Sequence, residues 1–250
     1  MSGRRVSFVG DSMGAVVQAI DEVRGLIGTP PVVVGGVAVM CRLSVPYRAT
    51  SDLDVVDRLL GSRPHLEVLR AAHGAHAIEP AAVLLPTPLG EVKVDVLEVR
   101  QVELDHPSDG PGDRLHSMSH AWANDTATSM TVEVAGTKGS SFEVTTKVAE
   151  PGPLIAMKLQ AVMNRSVEKQ GTDLLDIVRL ALDPEARPSA LSQIRETEAP
   201  ITQDIATHVD LWLVRNAAQS LRWIRRAGGR SVEPDDIDLV AELLLDACAR

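Results

Sequence analysis

The sequence predicts an α+β protein: a β-sheet with flanking helices over residues 1–150, then an α-helical region over residues 151–250. Three observations predict it. Short β-branched runs alternate with helical periodicity in the first half. From Pro151-Gly152-Pro153 onward the periodicity is helical throughout. The chain of 250 residues, 44% hydrophobic and 24% charged, has the length and balance to bury a large core in one large or two small domains.

Residues 12–27 set Val16, Val17, Ile20, Val23 and Ile27 at helical spacing, and Gly28 followed by Pro30-Pro31 stops that helix. Val32-Val33-Val34 is a β-branched run of the kind that forms a buried strand. Gly35-Gly36 follows, then a short helix over 37–44, a loop at Pro46 and a strand at 53–56. Residues 62–73 read as helix, and 82–86 and 92–99 as strands joined by a turn at Pro88-Leu89-Gly90. Residues 104–125 mix Pro, Gly, Asp, Ser and His with little apolar periodicity and read as a long loop. A hairpin follows, 127–135 and 141–148, around a Gly-Thr-Lys-Gly turn at 136–139. Helices are expected at 153–166, 172–182, 189–197, 202–227 and 234–248, with breakers at Gly171, Pro184, Pro188, Pro200, Gly228-Gly229 and Pro234.

Composition narrows the function. A formal net charge of −9 argues against whole-surface binding to nucleic acid. Aromatic residues at 2% are too few for base-stacking rows. Cys41 and Cys248 supply neither a disulfide framework nor a Cys-x-x-Cys metal pair. No apolar run has the length of a membrane span or signal peptide, so a cytoplasmic protein with no membrane partner is expected.

The chemistry concentrates in residues 32–56, VVVGGVAVMCRLSVPYRATSDLDVV. Asp52 and Asp54 lie two apart on a strand, so both carboxylates point to one face. Two neighbouring carboxylates repel unless a cation joins them, and oxygen donors suit Mg²⁺ or Mn²⁺. Asp95, flanked by Val94 and Val96, is a third carboxylate on a later strand. Three such groups can hold two metal ions about 3.5–4 Å apart. Gly35 and Gly36 let phosphates approach the backbone at a helix start without a Cβ in the way.

Gly-Gly, then Asp-x-Asp, then a lone Asp on a following strand resembles the nucleotidyltransferase fold of the DNA polymerase β superfamily. More narrowly, GGVAV followed by R-x-T-S-D-L-D-V resembles the AbiEii- and MenT-type nucleotidyltransferase toxins. So does the later Lys158-x-x-Ala161-x-x-x-Arg165, with Asp173-Leu-Leu-Asp176 beyond it. The resemblance covers about residues 32–182. It departs at Gly171-Thr172, where the family helix often carries Lys-Asp, and at Gly36, where many superfamily members have Ser.

The resemblance implies a mixed-sheet catalytic domain over 1–150 and a helical domain over 151–250. It implies transfer of a nucleoside monophosphate from an NTP to an acceptor hydroxyl. Asp52, Asp54 and Asp95 would be the metal ligands and, with Lys158, the catalytic set. Gly35, Gly36 and Ser51 would shape the phosphate loop, with Arg48 and Thr50 beside it. Lys158 would meet the phosphates. Arg165, Asp173 and Asp176 would organise the helical half. An RNA acceptor, the tRNA 3′ end, and a cognate antitoxin are the implied partners. An antibiotic nucleotidyltransferase and a non-catalytic nucleotide-binding module are the alternatives.

Other features have plainer readings. His106, His116 and His120 read as solvated loop residues, and Cys41 as a small buried one. Residues 211–232 contain no Asp or Glu but hold Arg215, Arg222, Arg225, Arg226 and Arg230, with Trp212 and Trp223 between them. That stretch reads either as a dock for RNA or as a solvated helix face whose tryptophans enter the core.

Overall fold

The computed structural model describes residues 4–136 and 141–249. The turn expected at 136–139 therefore lies outside the described residues, apart from Gly136. The chain divides into two compact units: Met1–Cys41, Val45–Gln101 and Ala123–Ala149 form the first, and Arg42–Ser44, Val102–Trp122 and Glu150–Arg250 the second.

The first unit is built on a mixed eight-stranded sheet. Its strands are β1 (Arg4–Val9), β2 (Val32–Val34), β3 (Asp52–Asp57), β4 (His76–Glu79), β5 (Ala82–Thr87), β6 (Gly90–Glu98), β7 (Thr128–Ala135) and β8 (Ser141–Val148). Their order across the sheet is β1-β7-β8-β2-β3-β6-β5-β4. The pairs β1–β7, β2–β8 and β3–β6 are parallel; the others are antiparallel.

Helix α1 (Asp11–Ile27) packs on this sheet and meets β3, β5, β6, β7 and β8. Its apolar stripe Val16, Val17, Ile20 and Val23 is fully buried, as the 3.6-residue period requires. It ends at Gly28, whose φ of 78° closes the helix through its N–H to Arg24 O at 2.9 Å. Helix α2 (Gly35–Arg42) begins on the glycines themselves rather than after them. Helix α3 is a single short segment, His65–Arg70.

Two strands escaped the sequence pattern. β4 is exposed at all four residues and β1 buries only Val6 and Phe8, so neither carries the apolar run that marks a central strand.

The loop expected over 104–125 is instead helical: α4 (Gln101–Asp105) and α5 (Pro111–Thr126). Pro111 starts α5, where a missing N–H costs nothing. The buried side of α5 includes Leu115, Ser119, His120 and Ala123. Ser119 Oγ donates to His116 O at 3.2 Å, and His120 Nδ1 is 2.6 Å from the same carbonyl. Polar residues satisfied inside the helix hid its periodicity.

The second unit is otherwise helical: α6 (Pro151–Ala161), α7 (Val167–Leu182), α8 (Ala186–Glu196), α9 (Ala199–Val209), α10 (Ala217–Arg226) and α11 (Pro234–Cys248). A 3₁₀ turn, Val162–Asn164, ends α6, and a π-helical turn, Asp210–Arg215, divides the long helix expected at 202–227. α6 is buried from Pro151 through Gln160 and packs on α7, α8 and α9. Gly171 does not break a helix. It lies inside α7, where a Cβ would collide with the Trp223 carbonyl of α10. Pro188 also lies inside a helix, in the first turn of α8. Among the described residues, no helix is long and apolar enough to cross a membrane.

Candidate functional site

The carboxylates and glycines meet on the sheet of the first unit. β3 lies between β2 and β6, and its register sets Asp54 opposite Val34 on one side and Asp95 on the other. Asp52 stands opposite Lys93. Register partners share a face, so Asp52, Asp54, Lys93 and Asp95 project together. Between them Leu53, Val55, Val94 and Val96 point the other way and are buried.

Gly35 carries φ of 62°, in the left-handed region, and a Cβ there would overlap the Asp54 carboxylate. Glycine is required at this position for backbone and for space. A Cβ on Gly36 would stand 3.0 Å from Arg48 Nη2 and 3.4 Å from Thr50 Oγ1. Arg48 and Thr50 thus lie against the start of α2. Arg48 Nε donates to Tyr47 Oη at 3.3 Å, and its guanidinium sits 5.8 Å from the centre of that ring. Ser51 Oγ donates to Asp52 Oδ1 at 2.8 Å.

Two residues that the sequence reading left out complete this face. Lys93 Nζ lies 2.9 Å from Glu79 Oε2 and 3.3 Å from Asp95 Oδ1. The two-residue spacing of Lys93 and Asp95 on one strand was the available signal; Glu79 comes from the exposed β4 and gave none. Burial pushes the Asp95 carboxyl above the usual carboxylate range; Lys93 opposes this, while Glu79 and Asp52 add to it. Lys93 is held above its ordinary value: burial acts against it, but Glu79 and Asp95 outweigh that. Among the described residues, no three His, Cys, Asp or Glu side chains are grouped closely enough to hold a metal ion.

The second unit gathers the other predicted residues into a separate cluster. Lys158 on α6 is buried, with Nζ 2.6 Å from Asp173 Oδ1 and 2.9 Å from Asp176 Oδ2 on α7. The i, i+3 spacing puts both aspartates on the face that meets α6. Arg165 Nη1 lies 3.4 Å from Asp173 Oδ2. Burial works against the Lys158 charge, but Asp176 and Asp173 together hold it protonated above the ordinary lysine value. A phosphate contact by Lys158 would require it to leave these carboxylates.

The histidine expectation is corrected. His106 is exposed, but His120 is buried and its ring centre is 4.3 Å from that of His116. Burial, with help from His116 and Arg165, lowers the His120 pKa to about 3. The sequence reading also missed the ion pair in which Arg114 Nε and Nη2 donate to the two oxygens of the buried Asp204 at 2.8 and 2.6 Å. Cys41 is buried, as expected. The five arginines of 211–232 are exposed, and Trp212 and Trp223 are half-buried with ring centres 6.1 Å apart.

The fold and this face together define an α+β protein with a mixed sheet, a glycine-opened helix and three acidic residues on adjacent strands. No protein-family model matches the chain, and no curated protein matches it. Among solved structures it is similar to an antigenic nucleotidyltransferase-like protein from Paracoccidioides brasiliensis, with 17% identity over 85% of this chain and 93% of that one, at a TM-score of 0.43.

Proposed function

We propose that the chain is a nucleotidyltransferase that moves a nucleoside monophosphate from an NTP to an acceptor hydroxyl and releases pyrophosphate. The observation that carries this reading is the placement of Asp54, packed against Gly35 at the start of α2 and in register with Asp95 on the next strand. The motif resemblance of residues 32–54 adds to it.

The donors are of the type a hard divalent cation takes, although holding one requires Asp52, Asp54 and Asp95 to draw closer together than they stand. Asp52, Asp54 and Asp95 offer oxygen only, and Asp95 is partly desolvated, with Lys93 the cation already beside it and Glu79 and Asp52 the like charges. These three would hold Mg²⁺ or Mn²⁺, which when bound supplies charge neutralisation to the triphosphate. Gly35 gives the Asp54 carboxylate its place at the start of α2, and Gly36 lets Arg48 and Thr50 lie against the same turn. Ser51 orients Asp52, and Arg48 offers a cation beside the glycines. The acceptor oxygen forms a bond to the α-phosphorus as the bond to pyrophosphate breaks, and Asp95 takes the hydroxyl proton.

In the finer reading the acceptor is an RNA, the tRNA 3′ end, and the protein is a cytoplasmic toxin with a cognate antitoxin. The motif resemblance supports that layer.

The test is incubation with Mg²⁺, each α-labelled NTP in turn and total bacterial RNA, for the native chain and for Asp54→Ala. Label on tRNA with the native chain alone is the expected result. Label on small hydroxyl acceptors instead would replace the RNA layer with an antibiotic-modifying one. Independently of activity, Mn²⁺ titrated calorimetrically should bind the native chain and bind Asp54→Asn or Asp95→Asn at least ten-fold more weakly. Equal Mn²⁺ binding by all three would remove the metal assignment.

A further inference from the structure

A concave feature of the first unit lies toward the opposite end of β3 from Asp52. It is a cavity of about 660 Å³ bounded by the end of α1, the start of β2, the segment after β3, and α3. Over the six residue steps from Asp52 to Arg58 an extended chain advances roughly 20 Å. Arg58 thus lies well away from Asp52, although the lining begins at Val56, two residues or about 7 Å beyond Asp54.

Its lining is basic. Arg58, Arg63, His65 and Lys147 contribute to it, against one acidic residue, Asp57. That carboxylate is already committed: it is buried, Oδ1 accepts from Leu59 N at 2.8 Å, and Oδ2 accepts from His65 N at 2.6 Å. The first of these bonds holds Leu59 at φ of 53°, the one positive φ at a non-glycine residue among the described residues. Asp57 thus shapes the wall, while the Arg58 guanidinium is turned toward Asp125 and Gln101.

Two nitrogen atoms of the lining are buried without a partner. Arg58 has a side chain 9% exposed, and Nη1 donates to both oxygens of Asp125 at 2.7 and 2.8 Å, yet its Nε has no acceptor. His65 Nδ1 is buried without a hydrogen bond, 3.8 Å from Asp57 Oδ2. Buried polar atoms are almost always satisfied; here Arg58 Nε lacks an acceptor and His65 Nδ1 a partner of either kind, which a ligand entering with a small shift of the wall would supply. At the rim, Arg63 and Lys147 are exposed and have no ion-pair partner among the described residues. The remaining lining combines apolar residues, among them Ile27, Pro30, Val32 and Val56, with the polar Thr29, Ser62 and Asn124.

We propose that this cavity binds a small organic phosphate, its anionic group held by Arg58, Arg63, His65 and Lys147 and its apolar body against Ile27, Val32 and Val56. The volume falls within the ~300–1,000 Å³ of small-molecule sites. A concave space with partly apolar walls suits an organic body better than the bare phosphate backbone of a nucleic acid. The inference does not depend on the nucleotidyltransferase reading.

The test uses the full chain in EDTA, with phenyl phosphate, inorganic phosphate and benzyl alcohol titrated calorimetrically. Phenyl phosphate is expected to bind. Its affinity should fall at least ten-fold in Arg63→Ser/Lys147→Ser, two exposed positions whose change leaves the fold intact by circular dichroism. It should be unchanged in Asp54→Asn, which separates this site from the acidic face. Inorganic phosphate and benzyl alcohol should each bind at least ten-fold more weakly than phenyl phosphate. No binding of phenyl phosphate at millimolar concentration, or unchanged affinity in the double variant, would overturn the proposal. Loss in Asp54→Asn would do the same, and equal affinity for inorganic phosphate would overturn the organic ligand.

Discussion

Gly35 combines a left-handed backbone with a space already filled by the Asp54 carboxylate. Gly35→Ala should therefore destabilise the chain by more than about 1 kcal/mol in urea unfolding, against the small gain that alanine brings where φ is negative. Lys158 presents the opposite situation, a residue valued for its charge. Its ammonium balances Asp173 and Asp176, both almost fully buried. Lys158→Met should cost about 3–5 kcal/mol because two buried carboxylates lose their cation. Adding Asp173→Asn should recover part of that loss. A double-mutant cycle that came out additive would deny the pairing.

At the scale of elements, glycine decides a helix contact. Gly171 inside α7 would gain about 1 kcal/mol of helix propensity as alanine. A Cβ there meets the Trp223 carbonyl, which belongs to the backbone of α10 and cannot rotate away. The collision should win, and Gly171→Ala should lower the unfolding midpoint; a raised midpoint would show that α10 yields freely. Helix α11 starts with reciprocal capping between Glu233 and Asp236, in which Glu233 N donates to Asp236 Oδ2 at 2.9 Å. Asp236→Ala should cost about 0.5–2 kcal/mol, read from the same denaturation curves.

For the whole molecule, His120 links stability to pH. Its folded pKa is depressed to about 3 from an ordinary 6.5, chiefly by burial. The unfolded chain takes up a proton below about pH 6.5 that the folded chain refuses until about pH 3. The stability this residue contributes is thus present above pH 6.5 and is lost as pH falls through that window. Unfolding free energy measured between pH 7 and pH 4 should fall less steeply for His120→Gln than for the native chain. Matching slopes would mean that His120 is protonated in the fold.

Most central elements were legible in the residues because burial leaves a period. Val16, Val17, Ile20 and Val23 announce α1, and the β-branched run 32–34 announces β2. The two-residue spacing of Asp52 and Asp54 was enough to set them on one face, since a strand alternates sides. The edge strands β1 and β4 were not legible, because an exposed strand needs no apolar pattern. Helix α5 was hidden because Ser119 and His120 satisfy their polar atoms on its own carbonyls and so can be buried. Sequence alone determined which residues could be chemical: the glycine pair, the aspartates, Lys158 and the arginines. Tertiary structure decided which of them meet. Strand register, a long-range hydrogen-bond choice, put Asp54 beside Asp95 and brought Lys93 among the carboxylates. Helix packing spent the Lys158 charge on Asp173 and Asp176, and chain folding gathered Arg58, His65 and Lys147 around one cavity. Local sequence cannot encode such meetings, because their free energy depends on partners distant along the chain.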